Sequence, residues 1–127
     1  MTINDSEVNI PEVLAELEAL YPEYERALVT NDVDKLLAMF WDAPQVMRFG
    51  TTENLYGREE IEAFRKGRPA ANLARTVQRL DIVSFGRDFA SITLEFSRGE
   101  TRGRQSQTWV RFPEGWRIVA AHVSLIA

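Results

Sequence analysis

Apolar residues recur at three- and four-residue spacing early in the chain. Leu14, Leu17, Tyr21, Tyr24 and Leu28 form one stripe, which predicts an amphipathic helix over 11–30. Pro11 suits a first helical position, and acidic residues fill the opening turns where the helix dipole favours them. Pro22 lies inside the pattern. It removes one backbone hydrogen bond and crowds the preceding turn, so a kink is expected near Leu20. Asn31 and Asp32 interrupt the period, and Asp32 is placed to cap a second helix running to Phe40 or Trp41.

A first strand is expected over 45–52, ended by a turn at Glu53 and Asn54. A third helix follows over 58–66, with Ile61 and Phe64 on its buried side. Beyond a loop at 69–72 the period changes to two. Segments 74–85, 89–97, 105–112 and 116–126 read as strands, joined by turns at 86–88, 98–103 and 113–115. Consecutive hairpins make an antiparallel sheet, and the preceding helices must cover one of its faces. The expected fold is therefore α+β. A long kinked N-terminal helix and two shorter helices sit in the concave face of a curved, mainly antiparallel sheet. One domain over 1–127 is expected, with 1–7 a flexible N-terminus. Such a cone leaves a pocket between helix and sheet.

Composition narrows the function classes. At 127 residues, 45% hydrophobic and 27% charged, the chain is an ordinary globular sequence. No apolar run is long enough for a membrane helix. The opening MTINDSEVNI lacks the basic and apolar regions of a secretory signal, so a cytoplasmic location is expected. Cysteine is absent, which removes thiol nucleophiles and thiolate metal sites. There is no Gly-rich phosphate loop, no paired-histidine metal spacing and no nucleophile elbow.

Charge is divided unevenly. Residues 1–64 hold 14 acids and 4 bases, whereas 65–127 hold 5 acids and 11 bases. Of the 15 bases, 13 are arginine. Arginine's planar fork suits carboxylate and phosphate, so the second half points to a small anionic ligand, while most of the 13 read as solvated strand-face charges. Nucleic acid is disfavoured, because the chain is net acidic and its arginines are scattered over strands.

Individual candidates carry alternatives. Tyr24 faces the sheet from the helix stripe, and its hydroxyl needs a partner: a backbone carbonyl in the core, or a pocket ligand. Arg48 interrupts an apolar strand and points either to solvent or inward to a counter-charge. His122, the only histidine, shares a face with Ala120 and Ser124. It reads as a hydrogen-bonding pocket wall or a satisfied core histidine, since two residues apart on one face is too rigid for a Ser–His nucleophile. Gln107 and Trp109 share a face. Whether that face or the Arg104, Ser106 and Thr108 face meets the pocket turns on a one-residue difference in the loop at 113–115. Trp41, Trp109 and Trp116 read as packing residues, and Glu95 as a sheet-face charge. If His122 and Ser124 line the pocket, then Val119, Ala121, Val123 and Leu125 form an exposed apolar face, which predicts a homodimer through the sheet.

The closing segments GRQSQTWVR (103–111) and GWRIVAAHVS (115–124) resemble the last hairpin of the NTF2-like (SnoaL-like) superfamily. The segment YERAL (24–28), Asn31-Asp32, Phe40-Trp41, Arg48-Phe49-Gly50, Glu53 and Ala63-Phe64-Arg65 extend the likeness over about 8–127. Together they resemble the AtzH-like branch, found with amidohydrolases of s-triazine and ureide breakdown. The resemblance implies a cofactor-free reaction on a small ureido dicarboxylate, 1,3-dicarboxyurea to allophanate with loss of one carboxylate. Carried over residue by residue, it implies Tyr24 and Arg48 as the catalytic pair. Arg68 or Arg75 would help bind the anion, and Gln107, Trp109, His122 and Ser124 would complete the pocket. The alternative is a non-catalytic pocket protein or oligomerisation module that binds an organic anion beside a partner amidohydrolase.

Overall fold

The computed structural model describes residues 2–127. Helix α1 spans Pro11–Val29, α2 spans Val33–Met39 and α3 spans Gly57–Gly67. The strands are β1 (Met47–Phe49), β2 (Asn54–Tyr56), β3 (Thr76–Phe85), β4 (Phe89–Arg98), β5 (Thr101–Phe112) and β6 (Gly115–Ile126). They form one sheet in the order β2-β1-β6-β5-β4-β3. Every neighbouring pair is antiparallel except β1 and β6, which run parallel. The three helices cover one face of this curved sheet, giving the α+β cone expected from the sequence.

Helix α1 continues through Pro22, which lies on the exposed side, so the carbonyl it leaves unpaired is toward solvent. Its buried stripe is Val13, Leu17, Tyr21, Tyr24, Ala27 and Leu28, with Leu14 only half-buried. Asn31, in the left-handed region at φ 52°, ends the helix. The Asp32 side chain then caps α2 by accepting from the Lys35 N–H at 3.3 Å. The core joins Leu17, Tyr21 and Tyr24 to Ile92, Leu94 and Phe96 on β4, Trp109 on β5 and Ile118 on β6. Truncating one of these buried aliphatics to alanine costs about 2–5 kcal/mol.

Several local expectations are corrected. The strand at 45–52 is only three residues long, because its flanks turn to make room for β2. Strand β2 occupies Asn54–Tyr56, where a turn and a helix approach were expected. Gly57 then starts α3 at φ 84°, with its N–H on the Val46 carbonyl at 2.7 Å. The loop at 98–103 shrinks to the pair Gly99-Glu100, and β5 begins at Thr101. Residues 5–8 are tied down. A 3-10 turn at Asp5–Glu7 leads to a bridge between Val8 and Phe85, and the Gly86 N–H reaches the Glu7 carbonyl at 2.9 Å.

One irregularity decides which residues face the helices. Thr108 pairs with Ala120 while Trp109 pairs with Ile118, so Val119 is an extra residue in β6. Before it, Trp116 and Ile118 point inward; after it, Ala121 and Val123 do. His122 and Ser124 therefore sit on the convex side, contrary to the alternation read across the whole strand. Of the apolar set Val119, Ala121, Val123 and Leu125 expected as an exposed face, Ala121 and Val123 line the cavity and Leu125, 44% exposed, stands at its mouth, while Val119 is the extra residue. On the convex side Phe49 lies edge-on to both Tyr56 and His122, with ring centroids at 5.7 and 5.8 Å.

Candidate functional site

A cavity of about 260 Å³ opens between α1, the end of α3 and the strands β1, β4, β5 and β6. It is smaller than the roughly 300–1,000 Å³ typical of drug-sized sites, which suits a small metabolite. Tyr24, Arg48, Arg68, Arg75 and Gln107 all line it. Trp109 does not. It is fully buried behind them, edge-on to the Tyr24 ring at 6.4 Å.

Arg48 is the middle residue of β1, so the strand's alternation turns it inward while Met47 faces solvent. Only 6% of it is exposed. Its Nη1 donates to Glu53 Oε1 at 3.0 Å, and its guanidinium lies over the Phe64 ring at 5.0 Å. Glu53 returns from the β1–β2 turn because Gly50 has no Cβ to occupy the space of its carboxylate. Burial alone would raise the Glu53 carboxyl, but hydrogen bonds from Thr52 and Arg48 pull it below its ordinary range. The pair uses one nitrogen of Arg48, leaving Nε and Nη2 without a partner among the described residues. That free edge is a carboxylate fork.

Tyr24 is 2% exposed. Its oxygen accepts from Arg65 Nη2 at 3.4 Å, and no acceptor takes its proton among the described residues. The partner is a buried arginine and not a backbone carbonyl, so the O–H remains a donor for the cavity.

Arg65 is 1% exposed, with Nε and Nη1 unpartnered, and it lies over the Phe40 ring at 5.9 Å. Burial pulls its guanidinium down to about 10; the Tyr24 hydroxyl opposes this, while Arg48 and Arg68 push further down. It is still cationic at neutral pH. Sequence reasoning placed Phe64 on the buried side of α3, yet Phe64 is half-buried and Arg65 is inside. The signal was present in the four-residue step Gly57, Ile61, Arg65, which is the buried stripe of the helix.

Arg75 lines the wall but is already engaged. Its guanidinium binds both oxygens of Glu25 at 2.8 and 2.9 Å and reaches Gln105 Oε1 at 2.9 Å. Burial lowers Arg75, but Glu25 outweighs it and holds the group above its ordinary value. Gln105 in turn donates to the Tyr21 hydroxyl at 3.0 Å, and Tyr21 donates to Glu25 at 2.9 Å. This closed network is structural. Gln107 is different. The Trp109 indole N–H fixes its Oε1 at 3.0 Å, and its amide Nε2 is buried without a partner on the cavity wall. An unpaired buried donor costs about 1–3 kcal/mol, which a bound acceptor removes.

The sequence also passed over Arg98, placed in a turn, and Glu53, placed in another. Arg98 ends β4 where a loop was expected, whereas Glu53 does lie in the β1–β2 turn, and a turn position gives no sign that its carboxylate folds back onto Arg48. Among the described residues no group of three or more His, Cys, Asp or Glu side chains gathers as for a metal ion. No helix is long and apolar enough to cross a membrane.

The helix-filled cone is a cystatin-like fold, the fold also found in solved proteins described as NTF2-like. The chain belongs to the AtzH-like family, whose model matches residues 6–127. A protein of unknown function of the DUF3225 family from Pectobacterium atrosepticum is 48% identical. Its structure superposes with a TM-score of 0.97, over 99% of this chain and 100% of that one. A cystatin-like fold protein from Burkholderia xenovorans is 45% identical, with a TM-score of 0.91 over 95% of this chain and 97% of that one. An NTF2-like superfamily protein from Salmonella enterica shares the fold at 22% identity, with a TM-score of 0.74 over 91% and 92% of the two chains. A comparison with curated proteins gives no match.

Proposed function

We propose that this protein is a cofactor-free enzyme acting on a small ureido dicarboxylate, releasing one carboxylate of 1,3-dicarboxyurea to leave allophanate. The observation that carries the reading is the unclaimed Tyr24 proton in the same cavity as the free edge of Arg48. The AtzH-like membership supports it.

Arg48 grips one carboxylate through Nε and Nη2, and Gln107 Nε2 donates to the ureido carbonyl. The bond between nitrogen and the departing carboxylate carbon breaks, and carbon dioxide leaves. The electron pair stays on nitrogen, which takes the Tyr24 proton; the tyrosyl oxygen keeps its bond from Arg65 and recovers a proton from water. Leu28, Ala121 and Val123 exclude water around the scissile group, which favours the charge-dispersed transition state. The test is release of carbon dioxide and allophanate from dicarboxyurea by purified protein. A rate equal to that in buffer, with tight binding of the anion, would leave the second reading: a pocket protein that presents or sequesters an organic anion beside a partner amidohydrolase.

A further inference from the structure

Two aromatic rings, Phe96 in the cavity wall and Phe64 behind the Arg48 and Arg68 that line it, each carry two guanidinium groups. Phe64 has Arg48 at 5.0 Å and Arg68 at 5.6 Å from its centroid. Phe96 has Arg75 at 4.5 Å and Arg98 at 5.6 Å. One member of each pair is neutralised, Arg48 by Glu53 and Arg75 by Glu25. The other member of each pair has no carboxylate. Arg68 has no hydrogen-bond partner among the described residues, and Arg98 reaches only the Leu73 and Ala74 carbonyls, both at 3.3 Å. Arg68 is lowered first by burial, then by repulsion from Arg48 and Arg98; Arg98 is lowered first by burial, then by repulsion from Arg75. These four arginines and two carboxylates leave an excess of two positive charges, and Arg65 behind Tyr24 adds a third. Two like charges held together without counter-ions are unfavourable until an anion arrives.

We infer that Arg68 and Arg98 form a second carboxylate subsite, which makes this pocket select dianions over monoanions. The inference rests on the pocket reading above. It adds that the far carboxylate, the one that stays on the product, is held by Arg68 and Arg98 while Arg48 and Tyr24 face the reacting end. Phe64 and Phe96 fix the spacing between the two ends, because each guanidinium rests on a ring face.

Titration calorimetry with unreactive probes tests this. Malonate and succinate are compared with acetate and propionate, at fixed ionic strength. The wild-type protein should bind the better dicarboxylate at least tenfold more tightly than either monocarboxylate. In Arg98→Gln and Arg68→Gln, each checked for folding by circular dichroism, that ratio should fall severalfold. Equal affinity for mono- and dicarboxylates in the wild type, or an unchanged ratio in both variants, overturns the subsite. Dicarboxylate preference without turnover of dicarboxyurea keeps the subsite and removes the reaction. Turnover without the preference does the reverse.

Discussion

The Trp109 indole donates to Gln107 two residues along the same strand face, and so fixes which end of the Gln107 amide meets the cavity. An indole N–H has no acceptor role, so the amide oxygen must turn toward it and the NH2 away. A packing residue thereby sets the polarity of a pocket residue. Gln107→Glu keeps an acceptor for Trp109 but replaces the donor with negative charge. Anion affinity should fall tenfold or more, because one charge-assisted bond is worth about 1.5–3 kcal/mol. The folded state should persist, because surrounding arginines offset the new charge. Affinity by calorimetry and thermal midpoint on the same sample check this, and unchanged affinity would count against Gln107 as a ligand group.

Arg48→Lys retains charge while losing the planar fork, so turnover or anion affinity should fall at least tenfold. Tyr24→Phe removes one hydroxyl and little volume, so the fold should survive as turnover falls. Activity and thermal midpoint, measured on both variants, separate a site from a scaffold. Lost stability with unchanged affinity of the folded fraction would end the assignment.

The same residues show what the chain made legible. The long α1 stripe and the 3.6-to-2 change of period are sustained patterns, and they predicted the cone. Strand β2 is three residues long and runs straight into α3, too short for any period to register. Arg65 was visible as a position on the Ile61 stripe, but its charge argued for solvent. Only the tertiary setting, with Phe40 beside it and the Tyr24 oxygen above, makes an interior arginine tolerable. His122 and Ser124 were assigned to the wrong side because an extra residue in a strand leaves no mark in alternation.

Removing Glu25 should be costly without touching the reacting groups. Glu25→Ala leaves Arg75, whose side chain is 2% exposed, without its counter-charge. Breaking a buried pair this way costs about 3–5 kcal/mol. The thermal midpoint should drop by on the order of 10 °C. A drop of a degree or two by calorimetry would show that water reaches Arg75.

Acid should weaken the β1–β2 corner. Because the folded-state Glu53 carboxyl titrates below its ordinary value of 4.5, its contribution is complete above that value and fades as pH falls below it. Thermal midpoints of wild type and Glu53→Gln should therefore differ at neutral pH and converge in acid. A constant gap from pH 7 to pH 3 would contradict the pairing with Arg48.

Self-association is expected through the convex face, with a second copy as the occupant. Met47 and Tyr56 are 41% and 53% exposed there, beside Phe49 and His122. Light scattering at micromolar concentration should give a dimer mass, and Tyr56→Glu should shift it toward monomer. A monomer mass for the wild type would rule this out.

The extra residue at Val119 also decides what the pocket wall is made of. Deleting it would leave Ile118 opposite Trp109 and Ala121 opposite Gln107, so the same side chains would face inward and only the local bend would go. A one-place slip of the strand beyond it, absorbing the extra residue, would instead turn Ala121, Val123 and Leu125 outward and His122 and Ser124 inward. The bulge thus draws a greasy wall from a strand whose alternate residues are protic.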